Sequence, residues 1–178
     1  MWRPHTLAEV VRRIEAGDSF GVALDEFLDT FYFALQREGR VAAQVCLDDQ
    51  PEPLSDPILH AYLGAVCEHL ALRWGLSVPA WTNHPSRFLR RPWFAAEGFE
   101  GLKAMSLAQS PTAFRRRLIF TEAEPLRRAR LPRGPGGRAL EAWEIGPTGV
   151  ARTARAAQRP GYRADPAASD DGTELPLS

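Results

Sequence analysis

The sequence is short of lysine, cysteine and long apolar runs. Of its 22 basic residues, 21 are arginine and one is lysine, Lys103. Arginine presents a planar fork of donors that lysine lacks, but a bias this strong reads first as the mark of a GC-rich genome. Two cysteines, Cys46 and Cys67, cannot build a disulfide scaffold. Both fall in apolar, helix-like surroundings and read as buried thiols of a reducing compartment. No run approaches the ~20 apolar residues of a membrane-spanning helix, and the first residues carry no apolar signal core. A soluble, cytoplasmic protein with no membrane partner is expected. The GxSxG, HExxH, EF-hand and Walker patterns are missing, as are CxxC and HxxxH pairs. Gly134-Pro135-Gly136-Gly137 lacks the Lys-Ser/Thr and the preceding strand of a phosphate loop, and reads as linker. Neither a metal nor a cofactor is expected.

What the sequence does have is charge of both signs, unevenly placed. The 22 acids and 22 bases cancel over 178 residues. Residues 1–70 nevertheless hold 12 acids and 5 bases, residues 71–163 hold 6 acids and 17 bases, and the last 15 residues hold 4 acids and no base. Either the acidic early helices neutralise the arginines inside the fold, or two faces of opposite sign await a partner.

Hydrophobic residues make up 44% of the chain, enough for a core. Helix periodicity and punctuation fill residues 1–130. Thr6 and Glu9 form a capping box before Leu7, Val10, Val11 and Ile14, and Gly17 is the stop. Asp18 or Ser19 caps a second helix whose stripe is Phe20, Leu24, Phe27, Leu28, Phe31 and Leu35. Asp25, Glu26 and Asp29 share its opposite, acidic face. Residues 41–47 suit a short helix. Asp56-Pro57 pairs a capping acid with a first-turn proline, and Gly75 closes that helix after Trp74. Residues 76–100 form an aromatic, proline-rich connector. Residues 101–109 are predicted helical, Ser110-Pro111 caps another helix through TAFRRRLIF, and Thr121 with Glu124 starts a last one to Arg130. From 131 to 178 there are 6 Pro and 7 Gly with few large apolar residues. A largely disordered tail is expected there. The predicted class is all-α: an irregular bundle of five to seven helices over 1–130 and a tail over 131–178.

Three clusters invite functional readings. On one helix His60 and Cys67 fall about 20° apart, as a nucleophile pair or half a zinc site would, while His60 and His69 fall about 180° apart. Boundary histidines beside a core cysteine explain the same spacing. The acidic set Asp18, Asp25, Glu26 and Asp29 is either a solvated helix face or a site for a metal, a basic partner or arginines of the chain itself. The arginines Arg87, Arg90, Arg91, Arg115, Arg116 and Arg117, followed by Arg127, Arg128, Arg130 and Arg133, are interleaved with Trp81, Trp93, Phe94 and Phe114. Such a surface could hold phosphates with stacking platforms. Three consecutive helical arginines fan across about 200°, however, so they cannot all face one ligand.

Ala61-Tyr62-Leu63 with His69-Leu70-Ala71, Pro79-Ala80-Trp81-Thr82, Pro92-Trp93-Phe94, and Ser110-Pro111 through Ala113-Phe114-Arg115-Arg116-Arg117 to Ile119-Phe120 together resemble a family of small helical bacterial proteins. Its members are encoded beside nucleotidyltransferase-like proteins, as in toxin–antitoxin pairs. The resemblance spans about residues 5–130 and implies an antitoxin-like member that restrains a nucleotidyltransferase-like toxin. Its motifs are structural, so it carries over no active-site residue. The expected function is a non-enzymatic helical interaction protein. Trp81, Arg87, Arg90, Arg91, Trp93, Phe94, Arg115, Arg116 and Arg117 are its candidate partner-binding residues. The alternatives are a nucleic-acid-binding regulator using region 87–133, and an enzyme built on His60, Cys67 and His69.

Overall fold

In a computed structural model, residues 2–96 and 100–128 are described. They form a mostly helical, irregular bundle with six helices and two short strands among the described residues. The tail expected over 131–178 lies outside them.

The helices begin where side chains can take the first free amides. Helix α1, Leu7–Glu15, starts at Thr6, whose hydroxyl accepts from the Glu9 amide at 3.3 Å. Glu9 reaches back to the His5 amide at 2.6 Å, one residue beyond the usual box. Helix α2, Phe20–Arg37, is capped by Ser19 rather than Asp18. Helix α3 is Arg40–Asp48. Helix α4, Pro57–Trp74, is capped by Asp56, which takes the Ile58 amide at 2.7 Å, and stops at Gly75 in the left-handed region (φ 64°). Helix α5 is Glu100–Gln109, and α6 is Thr112–Arg115.

Helix α2 packs directly on α1 and α3, and its Tyr32 reaches Trp74 of α4. Phe27, Leu28, Phe31 and Leu35 of α2 and Leu70 and Trp74 of α4 belong to one buried core. Each side chain of this size removed from water contributes roughly 1.5–3 kcal/mol. The rings meet edge-on, Tyr32 with Phe31 at 5.5 Å and with Trp74 at 6.2 Å. Helix α4 is buried on nearly all sides, and that requires small residues: Ala61, Gly64, Ala65 and Ala71 lie inside it.

The all-α class holds, and four details differ from or add to what the sequence predicts. Two strands exist, β1 (Trp93–Phe94) and β2 (Ile119–Phe120), paired in parallel with Trp93 opposite Ile119. Two residues per strand are too few to show a period. Leu118, just before β2, adopts φ 58° and turns the chain out of α6; its carbonyl accepts from the Trp93 amide at 2.8 Å. Second, Ser110 does not cap α6. Its hydroxyl accepts from the Thr121 amide at 2.7 Å and lies 2.6 Å from the Ser106 carbonyl, tying α5 to β2. Third, α6 therefore spans only four residues instead of running through TAFRRRLIF. Fourth, no helix starts at Thr121 among the described residues. Its would-be partner Glu124 is engaged by Arg73 at 3.1 Å, and Tyr32 donates to the Leu126 carbonyl at 3.0 Å, which pins this stretch against α2.

Candidate functional site

Among the described residues, part of the segregated charge is neutralised inside the fold. Arg13, 2% exposed, reaches Asp18 at 2.5 Å and also pairs with Glu26. Arg128 pairs with Asp25 at 2.8 Å and Asp29 at 3.4 Å. The acidic face of α2 thus docks on the chain's own arginines. Both guanidiniums are held more firmly protonated than usual, chiefly by hydrogen bonds to these carboxylates.

A second knot lies at α4. Glu68, 3% exposed, meets Arg116 at 2.8 Å and Arg117 at 2.5 Å. Arg117 is fully buried and also donates to the Ala113 and Thr82 carbonyls, both at 2.8 Å. Arg87, 2% exposed, has no carboxylate partner among the described residues. It donates to the carbonyls of His60 at 3.2 Å and Pro51 at 2.9 Å and stacks on Trp81 at 4.5 Å. Burial pulls its pKa down to about 10. Gly64 makes room for this traffic: a Cβ there would sit 3.1 Å from Arg117 Nε and 3.3 Å from Arg87 Cδ. Trp81 is buried and donates to the Leu47 carbonyl at 3.2 Å. Trp81, Arg87 and Arg117 accordingly belong to the interior, where a partner cannot touch them in this conformation.

His60, Cys67 and His69 do not converge. Cys67 is buried with its thiol on the Leu47 carbonyl at 3.8 Å, and burial raises its pKa well above the ordinary thiol value. Burial pushes Cys46 up to about 11. His69 packs edge-on against Phe114 at 5.8 Å, and burial lowers it to about 4. His60, also lowered to about 4 chiefly by burial and then by Arg87, accepts from the Leu54 amide at 3.3 Å through Nδ1. Its Nε2 therefore carries the proton and faces Ser86 Oγ at 3.1 Å; that hydroxyl lies 2.8 Å from His84 Nδ1. Among the described residues no group of three or more His, Cys, Asp or Glu side chains could hold a metal. No helix is long and apolar enough to cross a membrane among the described residues.

Outside these knots lies an open groove of about 620 Å³. It runs between the first turn of α4 (Pro57, Ile58) and the segment from Pro85 to Trp93. Phe88, Leu89 and Trp93 give it an apolar lining, with Pro57, Pro85 and Pro92 around them. Phe88 is fixed from behind, 5.3 Å from the Arg116 guanidinium and 4.9 Å from that of Arg117. Trp93 meets Tyr62 edge-on at 6.4 Å. The His60–Ser86–His84 chain holds the Pro85–Ser86 wall. Arg90 and Arg91 line the groove, both exposed, and neither has a carboxylate within ion-pair distance among the described residues.

Of the candidate partner residues, the structure therefore groups Arg90, Arg91 and Trp93. Phe94 stacks on Phe120 at 4.9 Å across the strand pair. Arg115 is exposed on α6, and Arg116 is committed to Glu68 and Asn83. Sequence reasoning missed Ile58, Phe88 and Leu89 as groove residues. It also missed Glu68, although a carboxylate inside an otherwise apolar α4 was a readable sign of a buried partner. Comparison with family models, with curated proteins and with solved structures returns no match for this chain.

Proposed function

We propose that this chain is a non-enzymatic helical interaction protein whose Ile58–Phe88–Leu89–Trp93 groove receives an acidic, apolar segment of a partner protein. One observation supports the reading: two exposed guanidiniums with no carboxylate partner among the described residues line an apolar groove, while Arg87, Arg116 and Arg117 beside it are held by the fold. A half-buried Trp beside exposed Arg brings together residue types that anchor interfaces. The resemblance to small helical proteins encoded beside nucleotidyltransferase-like proteins supplies the partner class, a toxin-like protein restrained in the cytoplasm. A nucleic-acid-binding regulator is the alternative reading: Arg87, Arg116, Arg117 and Arg128 are held by carbonyls or carboxylates, while Arg90, Arg91, Arg115 and Arg127 are exposed and could still meet phosphates.

The test places a photo-crosslinking amino acid at position 89 in the native host. The reading predicts one partner adduct, reduced about tenfold by Arg90→Glu with Arg91→Glu, a loss equivalent to about 1.4 kcal/mol. Deleting the gene should release a toxic activity. An adduct indifferent to the two arginines removes the groove from the account.

A further inference from the structure

The groove has a second prospective occupant in the chain itself. Near its C-terminal end the sequence reads Asp170-Asp171-Gly172-Thr173-Glu174-Leu175-Pro176-Leu177. This combines three carboxylates with a Leu-Pro-Leu run, the chemistry that Arg90 and Arg91, without a carboxylate partner among the described residues, would recognise beside Phe88, Leu89 and Trp93. We propose, resting on the groove reading above, that Asp170–Leu177 occupies the groove in the free protein and that the partner binds by displacing it.

Charge selects this segment from the rest of the chain beyond Arg128. Residues 131–163 are net basic, with Arg133, Arg138, Arg152, Arg155, Arg159 and Arg163 against Glu141 and Glu144, and would be repelled by Arg90 and Arg91. The final 15 residues hold 4 acids and no base. Pro176 favours an extended backbone, and extended proline segments dock on aromatic-lined grooves at low entropic cost. Length is no obstacle. On the order of forty residues separate Arg128 from Asp170, a reach of roughly 140 Å when extended. A domain of this size has a radius of gyration of only about 15 Å. Tethering raises the local concentration of the segment to about the millimolar range, so a contact too weak to hold a free peptide still fills the groove. The partner then has to outcompete a built-in occupant, which sets a threshold for release and hides an apolar surface until a better ligand arrives.

The test uses the full chain with a nitroxide on Thr173→Cys. Cys46 and Cys67 are buried and escape labelling. Paramagnetic broadening of backbone amides is read for Phe88, Leu89 and Trp93. The expected result is selective broadening there, reduced about fivefold when Asp170→Asn, Asp171→Asn and Glu174→Gln are combined, and likewise by Arg90→Glu with Arg91→Glu. Uniform broadening, or broadening that survives both charge changes, overturns the proposal. Equal broadening on an unlabelled chain mixed with a labelled one makes a second copy the occupant, and also overturns it. Partner capture at position 89 is scored separately. If capture depends on Arg90 and Arg91 but the tail leaves no mark on the groove, only the tail assignment fails. If capture ignores those arginines, the groove reading fails.

Discussion

Replacing Glu68 by Gln removes one negative charge with almost no change of shape, and the structure fixes what it should cost. Arg116 is half exposed and regains water, so its share is small, as for other exposed pairs. Arg117 is fully buried and cannot. A buried charge stripped of its partner costs about 3–5 kcal/mol. Arg117 keeps its bonds to the Ala113 and Thr82 carbonyls, so the lower end, about 3 kcal/mol, applies. Against a typical stability of roughly 5–15 kcal/mol this is a large fraction. It corresponds to a fall in Tm of roughly 6–12 °C. Urea titration followed by far-UV circular dichroism measures it directly. The deficit should persist at about 1 M salt, because screening reaches exposed pairs far more than buried ones. A double-mutant cycle with Arg117→Met should give a coupling of about 2 kcal/mol. If Glu68→Gln lies within about 0.5 kcal/mol of the parent, the size of a neutral surface change, Glu68 is not the counter-ion of Arg117. The internal-neutralisation argument then falls with it.

Two further outcomes follow. His60 and His69 stay neutral in the fold down to about pH 4. The unfolded chain binds their protons from about pH 6.5. Stability is therefore complete above that pH and falls as pH drops from 6.5 towards 4, by up to about 1 kcal/mol per pH unit for each histidine. Denaturant midpoints across this window should show a slope cut by more than half in His60→Gln with His69→Phe; an unchanged slope assigns it elsewhere. Gly21→Ala, where a new Cβ meets nothing within 4 Å, should stabilise α2 by roughly 0.5–1 kcal/mol. Gly64→Ala crowds Arg117 and Arg87 and should lose that gain or reverse it, by about 1–2 kcal/mol. Equal stabilisation at both glycines contradicts the close approach described for Gly64.

The legible parts of the fold were those set by local chemistry. The α2 stripe, the Asp56-Pro57 start and the Gly75 stop depend on side chains within one turn of each other, so sequence spacing identifies them. Ser110 and Thr121 show the limit. Both have the residue types of helix starts, yet Ser110 is claimed by the Thr121 amide eleven residues away and Glu124 by Arg73, 51 residues earlier. The site was less legible still. Whether an arginine is buried depends on carbonyls far along the chain, as Arg87 depends on Pro51 and Arg117 on Thr82. Residue type alone could not separate Arg87 from Arg90 or Arg117 from Arg115. The groove joins Pro57–Ile58 to residues about thirty positions later, with no shared motif to announce it. The two alternatives posed by the segregated charge were themselves readable. The distances decide for internal neutralisation of the acidic face of α2 and leave Arg90 and Arg91 as the remainder on the groove.

The most direct measurement is therefore photo-crosslinking at position 89 in the native host, compared across the parent chain, Arg90→Glu with Arg91→Glu, and the surface control Arg37→Glu. The account predicts a single partner adduct, reduced about tenfold by the groove pair and unchanged by the control. An adduct of equal yield in all three chains, or none in the parent, would contradict it.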